Sequence, residues 1–199
     1  MPSRACKPTS RCIELISDKI RIGDQWYVLA TSARSDEHLQ VLKNDNTFAL
    51  FDRFGDIEPF EAGEQGLYHQ DTRFLSHLEL RIEGVRPMCL GSTVKENNSL
   101  LVVELMNPDV QRDGSVVVPR GAVHLFRGKL LWDGACYERM RLSNHGLEAV
   151  RLRVDMSFDA DFADLFEVRG SRRERRGRLE EPQENADGVV FRYAGLDGR

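Results

Sequence analysis

From Phe158 to Arg178 the chain reads FDADFADLFEVRGSRRERRGR, and two chemistries are written into it. Asp159, Asp161, Asp164 and Glu167 come first, and six arginines follow between Arg169 and Arg178. Paired carboxylates are what glycoside hydrolysis uses, one as acid and one as base or nucleophile, about 5 to 10 Å apart. On a short helical turn Asp161 and Asp164 would share a face with their Cβ atoms about 5 to 6 Å apart, as any acidic couple at that spacing does. The structural alternative is that Asp159 or Asp161 caps the turn by accepting a backbone N–H. Asp164 and Glu167 bracket Leu165-Phe166 and run into Arg169. Those two carboxylates and that guanidinium can satisfy one another at a half-buried seam.

The arginines raise nucleic acid as a partner. Recognition of single strands interleaves basic residues with stacking aromatics, yet RGSRRERRGR holds no aromatic residue and Glu174 interrupts it. The net charge is −4; this run carries six Arg against one Glu, a local +5, so the rest of the chain carries −9. A uniformly basic surface is excluded, and only a local patch remains. A solvated loop between two strands is the simplest reading of the run. An interdomain or oligomer contact comes next, and a nucleic-acid contact through Arg169–Arg178 last.

A second polar group lies in HQDTRFLSHLEL, where His69, Asp71, Thr72 and Arg73 precede a strand. They read either as a hydrogen-bonded corner that sets the start of that strand or as Asp71 and Arg73 projecting from a sheet end toward a ligand or partner, where loops often carry function. His38, His77, His124 and His145 are isolated, and the four cysteines, Cys6, Cys12, Cys89 and Cys136, form no Cys-x-x-Cys pair. A zinc site is therefore not expected, nor is any cofactor, since phosphate-binding glycine loops and Gly-x-Ser-x-Gly are missing. Cys89 and Cys136 read as reduced thiols packed like small hydrophobes.

The elements that would position these groups are short alternating runs. HLELRIEG sets Leu78, Leu80 and Ile82 on one face against Glu79, Arg81 and Glu83, the mark of a half-buried strand. AVRLRVDMSF repeats the device with Val150, Leu152, Val154, Met156 and Phe158 facing in. DQWYVLATS, NTFALFDRFGDI, SLLVVELM, SVVVP, AVHLFRGKLLW, CYERMRLSN and GVVFRYAG add β-rich segments. Turn chemistry divides them at Phe54-Gly55-Asp56, Asn107-Pro108-Asp109, Asp113-Gly114, Asp133-Gly134 and Asn144-His145-Gly146. The only helical stretch is Asp161 to Phe166. The pattern predicts an all-β antiparallel sandwich with little helix.

The length fits one domain: a disordered polar tail over 1–12 and a sandwich over 13–199. Asp197-Gly198 has the chemistry of a hairpin turn, which suggests a sandwich truncated at its C-terminus. No signal-peptide run or membrane span stands out, and the composition reads as cytoplasmic.

Four segments together resemble a known family. NTFALFDRFGDI (Asn46 standing where the family usually has Asp), GLYHQDTRFLSHLELRIEG, DADFADLFEVRGSRRERRG and YAGLDG occur in order between about Leu42 and Gly198. They resemble the N-terminal domain of bacterial glycogen debranching enzyme-like proteins, relatives of amylo-α-1,6-glucosidase. The resemblance implies a β-sandwich that precedes an (α/α)₆ barrel, with the catalytic carboxylates on the barrel and none in this chain. It implies that barrel as a partner, in cis or in trans, and an α-glucan as ligand. Asp71, Thr72, Arg73, Asp164, Glu167 and Arg169 then become candidates for an interdomain contact or a sugar-site rim. A stand-alone polysaccharide-binding or protein-interaction module is the alternative.

Overall fold

The computed structural model describes residues 19–22, 25–28, 39–58 and 63–196. The chain divides into two compact units, 1–37 and 38–199. In the first, β1 (Lys19–Ile22) and β2 (Gln25–Val28) pair as an antiparallel hairpin. The expected tail over 1–12 and the Asp197-Gly198 turn lie outside the described residues.

The second unit begins with β3 (Gln40–Asn44), β4 (Thr47–Phe51), β5 (Gly66–His69) and β6 (Thr72–Leu75). Then come β7 (His77–Ile82), β8 (Met88–Val94), β9 (Leu100–Met106), β10 (Val110–Arg112), β11 (Ser115–Val118), β12 (Val123–Trp132) and β13 (Ala135–Asn144). After β14 (Val154–Asp159) and the single-turn helix α1 (Leu165–Val168) the chain closes with β15 (Arg178–Leu179), β16 (Gln183–Asn185), β17 (Gly188–Val190) and β18 (Tyr193–Ala194). Every strand pairing among the described residues is antiparallel, and the fold is all-β.

Two four-stranded sheets, β3-β4-β5-β6 and β13-β12-β9-β8, and the pair β14-β7 supply the core. Leu42, Ala49 and Phe51 from the first sheet meet Leu101, Val103, Leu105, Leu125 and Leu131 from the second, with Leu78, Leu80 and Ile82 of β7 between them. Each contributes every second residue, as a strand with one buried face must. The Asp113-Gly114 and Asp133-Gly134 pairs sit at positive φ and form the two-residue turns of β10-β11 and β12-β13, since a tight hairpin needs left-handed backbone that glycine adopts freely.

Three expectations change. Strand β14 begins only at Val154, and Val154 and Phe158 are exposed. Leu152 and Met156 do pack on the core. Among the described residues β14 pairs with β7 alone, which leaves its other edge without a strand neighbour there. GVVFRYAG is two short strands with different partners, β17 with β16 and β18 with β15. The helical turn starts after Asp164 instead of at Asp161.

The outer face of the second sheet carries exposed apolar side chains beside Arg139 and Arg141. Leu130, Trp132 and Tyr137 are exposed there, and Leu100, Phe126 and Gly128 join Leu130 and Tyr137 around a shallow depression of about 410 Å³.

Candidate functional site

The two polar groups of the sequence meet. Gln70 and Asp71 both lie at positive φ and turn the chain from β5 into β6. Asp71 is therefore the tip of a hairpin and does not start the strand that contains HLEL. Just beyond the tip, the 161–165 segment runs alongside β6. The Arg73 amide donates to Ala163 O at 2.8 Å, the Leu165 amide donates to Asp71 O at 2.8 Å, and Thr72 bridges Asp164.

Arg73 locks this contact from its side chain. Its Nε and Nη2 donate to both Asp161 oxygens at 3.1 and 2.6 Å, and Nη1 donates to Gly63 O and Gln65 O, each at 3.1 Å. A planar guanidinium meeting a carboxylate with two parallel bonds fixes orientation as well as distance. Arg73 is thus turned inward and does not project toward a ligand. Tyr68, fully buried and stacked on Phe48, closes the same corner from β5.

Asp164, and neither Asp159 nor Asp161, is the helix cap. Its Oδ1 accepts from the Phe166 amide at 2.8 Å, and Glu167 Oε2 accepts in return from the Asp164 amide at 3.1 Å. This reciprocal pair satisfies amide groups that a helix start leaves open. The arginine run then answers the carboxylates. Arg173 Nη2 lies 3.0 Å from Asp164 Oδ2, and Arg176 Nε donates to Glu167 Oε1 at 2.8 Å. Burial works to raise the Glu167 carboxyl, but hydrogen bonds from Arg176 and from the Asp164 amide outweigh it and hold the group below its ordinary range. Arg169 does not join this seam; it faces Glu64 at 3.5 Å with both side chains more than half exposed, a contact worth little in water.

Asp71, Thr72, Arg73, Asp164 and Glu167 therefore share one corner, with Arg169 at its margin. Asp71, Phe166 and Arg169 are its exposed members, while Leu165 packs inward beside Tyr68. Beside it opens a groove of about 670 Å³ lined by Gln70, Thr72 and Asp164, by the rings of Phe74, Phe162 and Tyr193, and by Arg173 and Arg175. Phe162 stacks on Tyr193 with centroids 5.4 Å apart and meets Phe74 edge-on at 5.5 Å. Sequence reasoning did not single out these rings. They come from three separated segments, and nothing local marks them.

A second charged group also escaped the sequence reading. On β12, Arg127 and Lys129 occupy the inward face between Leu125 and Leu131, with both side chains buried. Arg127 Nη1 lies 2.5 Å from Asp56 Oδ1, and its Nε donates to Glu138 Oε1 at 2.6 Å. Lys129 Nζ reaches Glu138 Oε2 at 2.5 Å. Arg86 pairs with Asp52 and donates to Glu58 Oε1 at 2.7 Å while lying over the Phe54 ring. Burial drives the Asp56 carboxyl above its ordinary value, against the pull of Arg127. The signal in the sequence was parity: two charges at the alternate positions reserved for apolar residues. At the neighbouring turn Gly55 has φ +75, and a Cβ there would stand 3.2 Å from Lys129 Cε and Val103 Cγ2, so this turn needs glycine for both backbone and space.

Among the described residues no cluster of three His, Cys, Asp or Glu could hold a metal, and no helix is long and apolar enough to cross a membrane. Cys89 and Cys136 are free thiols packed against the core, and burial raises both.

Fold and site together define an antiparallel β-sandwich module with a braced acidic corner and an aromatic groove. Residues 42–199 match the family model for the N-terminal domain of some glycogen debranching enzymes, and the chain belongs to that family. Comparison with curated proteins gives no match, and neither does comparison with solved structures.

Proposed function

We propose that this chain is the non-catalytic N-terminal sandwich of a glycogen debranching glycoside hydrolase of the amylo-α-1,6-glucosidase type. It packs on a helical (α/α)₆ catalytic barrel, in cis or in trans, and helps to shape that barrel's sugar site. The observation that carries this reading is the family match over 42–199. The chemistry of the corner supports it. Asp161 and Asp164, the couple spaced for acid and base work, are engaged by Arg73 and by the helix start with Arg173. Both carboxylates are committed to contacts that set the shape of the corner. Cleavage of the α-1,6 branch bond then falls to carboxylates of the barrel. Asp71, Phe166 and Arg169 make the contact, while Thr72, Arg73, Asp164 and Glu167 hold its shape. The work takes place in the cytoplasm on an α-glucan.

The test is hydrolysis of an α-1,6-branched glucan by the chain alone, by a catalytic barrel of this family alone, and by the two mixed. The expected outcome is no hydrolysis by the chain and faster hydrolysis in the mixture than by the barrel. Hydrolysis by the chain alone that Asp164→Asn abolishes overturns the reading.

A further inference from the structure

We propose that the groove beside the corner is a binding subsite for an α-linked glucan segment, carried by this chain itself. The ligand class rests on the function proposed above; the site stands on its own geometry. At about 670 Å³ the groove falls within the range of small-molecule sites, about 300 to 1,000 Å³. Its lining combines the rings of Phe74, Phe162 and Tyr193 with the Gln70 amide, the Asp164 carboxylate and the Arg175 guanidinium. A pyranose has the same division. Its axial C–H groups carry partial positive charge and settle on the negative face of an aromatic ring, and its hydroxyls bond in plane to amide, carboxylate and guanidinium groups. Asp164 sits against Arg173 at 3.0 Å, which leaves the Arg175 guanidinium of the lining as a donor for sugar hydroxyls.

Three details set this groove apart from an ordinary surface depression. Phe74 is 43 % exposed, so aromatic area stays open where folding alone would cover it. Phe162 lies at φ +49, a conformation rare for a bulky residue that costs about 1 to 3 kcal/mol and concentrates at ligand sites. Its neighbours are pinned by Arg73, through the Asp161 side chain and the Ala163 carbonyl, and the strained backbone between them delivers the ring to Phe74 and Tyr193. Arg175, finally, makes no hydrogen bond or ion pair among the described residues, whereas Arg173 and Arg176 on either side of it do.

Titration of the 199-residue chain with maltohexaose, followed by calorimetry or amide NMR shifts, tests the proposal, with the β-linked laminarihexaose as the control. Binding is expected with Kd of about 1 mM or tighter. Arg175→Ala and Phe162→Gly should each weaken it about tenfold. Phe162→Gly removes the ring but suits the positive φ, so a thermal midpoint near that of the parent is expected. If that variant fails to fold, the exposed Arg175→Ala decides alone. No binding at that level, equal binding of laminarihexaose, or affinity unchanged in Arg175→Ala overturns the site. Its failure leaves the docking reading standing, because that reading is measured by hydrolysis in the mixture with a barrel.

Discussion

Arg127 and Asp56 meet at 2.5 Å with neither side chain reaching solvent, across 71 positions of sequence. A buried ion pair is weak evidence of net stability, but removing one partner leaves a charge in low dielectric and costs about 3 to 5 kcal/mol. Arg127→Met should therefore lower the unfolding free energy measured in urea by that order. Adding Asp56→Asn in the same chain should restore part of the loss. Additive losses in the double variant would show that the pair is not coupled.

Glu138 gives this group a pH dependence. Burial works to raise its carboxyl, but Lys129 and Arg127 outweigh that and hold it below its ordinary value of 4.5. A depressed carboxyl stabilises the fold above the unfolded-state pKa and loses that contribution as pH falls through the folded one. Asp56, raised by burial, acts in the opposite sense: its contribution is present below 3.8 and fades as pH rises. The difference in unfolding free energy between the parent and Glu138→Gln isolates the first effect. It should be largest near neutrality and shrink as pH drops below 4.5. A difference that stays constant down to acid pH would refute the assignment.

Asp164→Ala should cost about 1 kcal/mol through the lost helix cap, and Asp164→Ser should recover most of it. The thermal midpoint is the measurement. A loss that Ser does not recover would place the role of Asp164 in its charge toward Arg173.

Arg73→Lys keeps the charge but not the fork, and should destabilise by about 1 to 3 kcal/mol because Asp161 and two carbonyls lose donors. The amides of Ala163 and Leu165 should exchange faster with solvent as the corner loosens. A fully neutral Lys substitution would mean that Asp161 needs only a nearby cation.

Much of the fold was legible because period two and turn chemistry are local signals. Leu78, Leu80 and Ile82 fall inward as their alternation requires, and Asp113-Gly114 and Asp133-Gly134 turn where expected. The Gln70-Asp71 turn was not legible, since it holds left-handed backbone at two residues without a glycine. AVRLRV alternates like a strand, yet its ladder with β7 starts only at Val154, preceded by one bond from the Glu83 amide to Arg153 O, and pairing is a tertiary fact. At the site, the crowding of charge around Asp164 and Glu167 was visible, but their answering arginines were not. Arg173 and Arg176 reach back across a loop, while the nearer Arg169 faces Glu64. The rings of the groove converge only in three dimensions.

The outer face of the second sheet has a practical consequence. Trp132, 63 % exposed, stands on the same face as the exposed Leu130 and Tyr137, with Arg139 and Arg141 beside them, and exposed apolar groups of this kind attract one another in water. Concentrated solutions of the chain should show a negative second virial coefficient in static light scattering. Trp132→Lys should move it toward zero, and with it the concentration at which the protein begins to cloud.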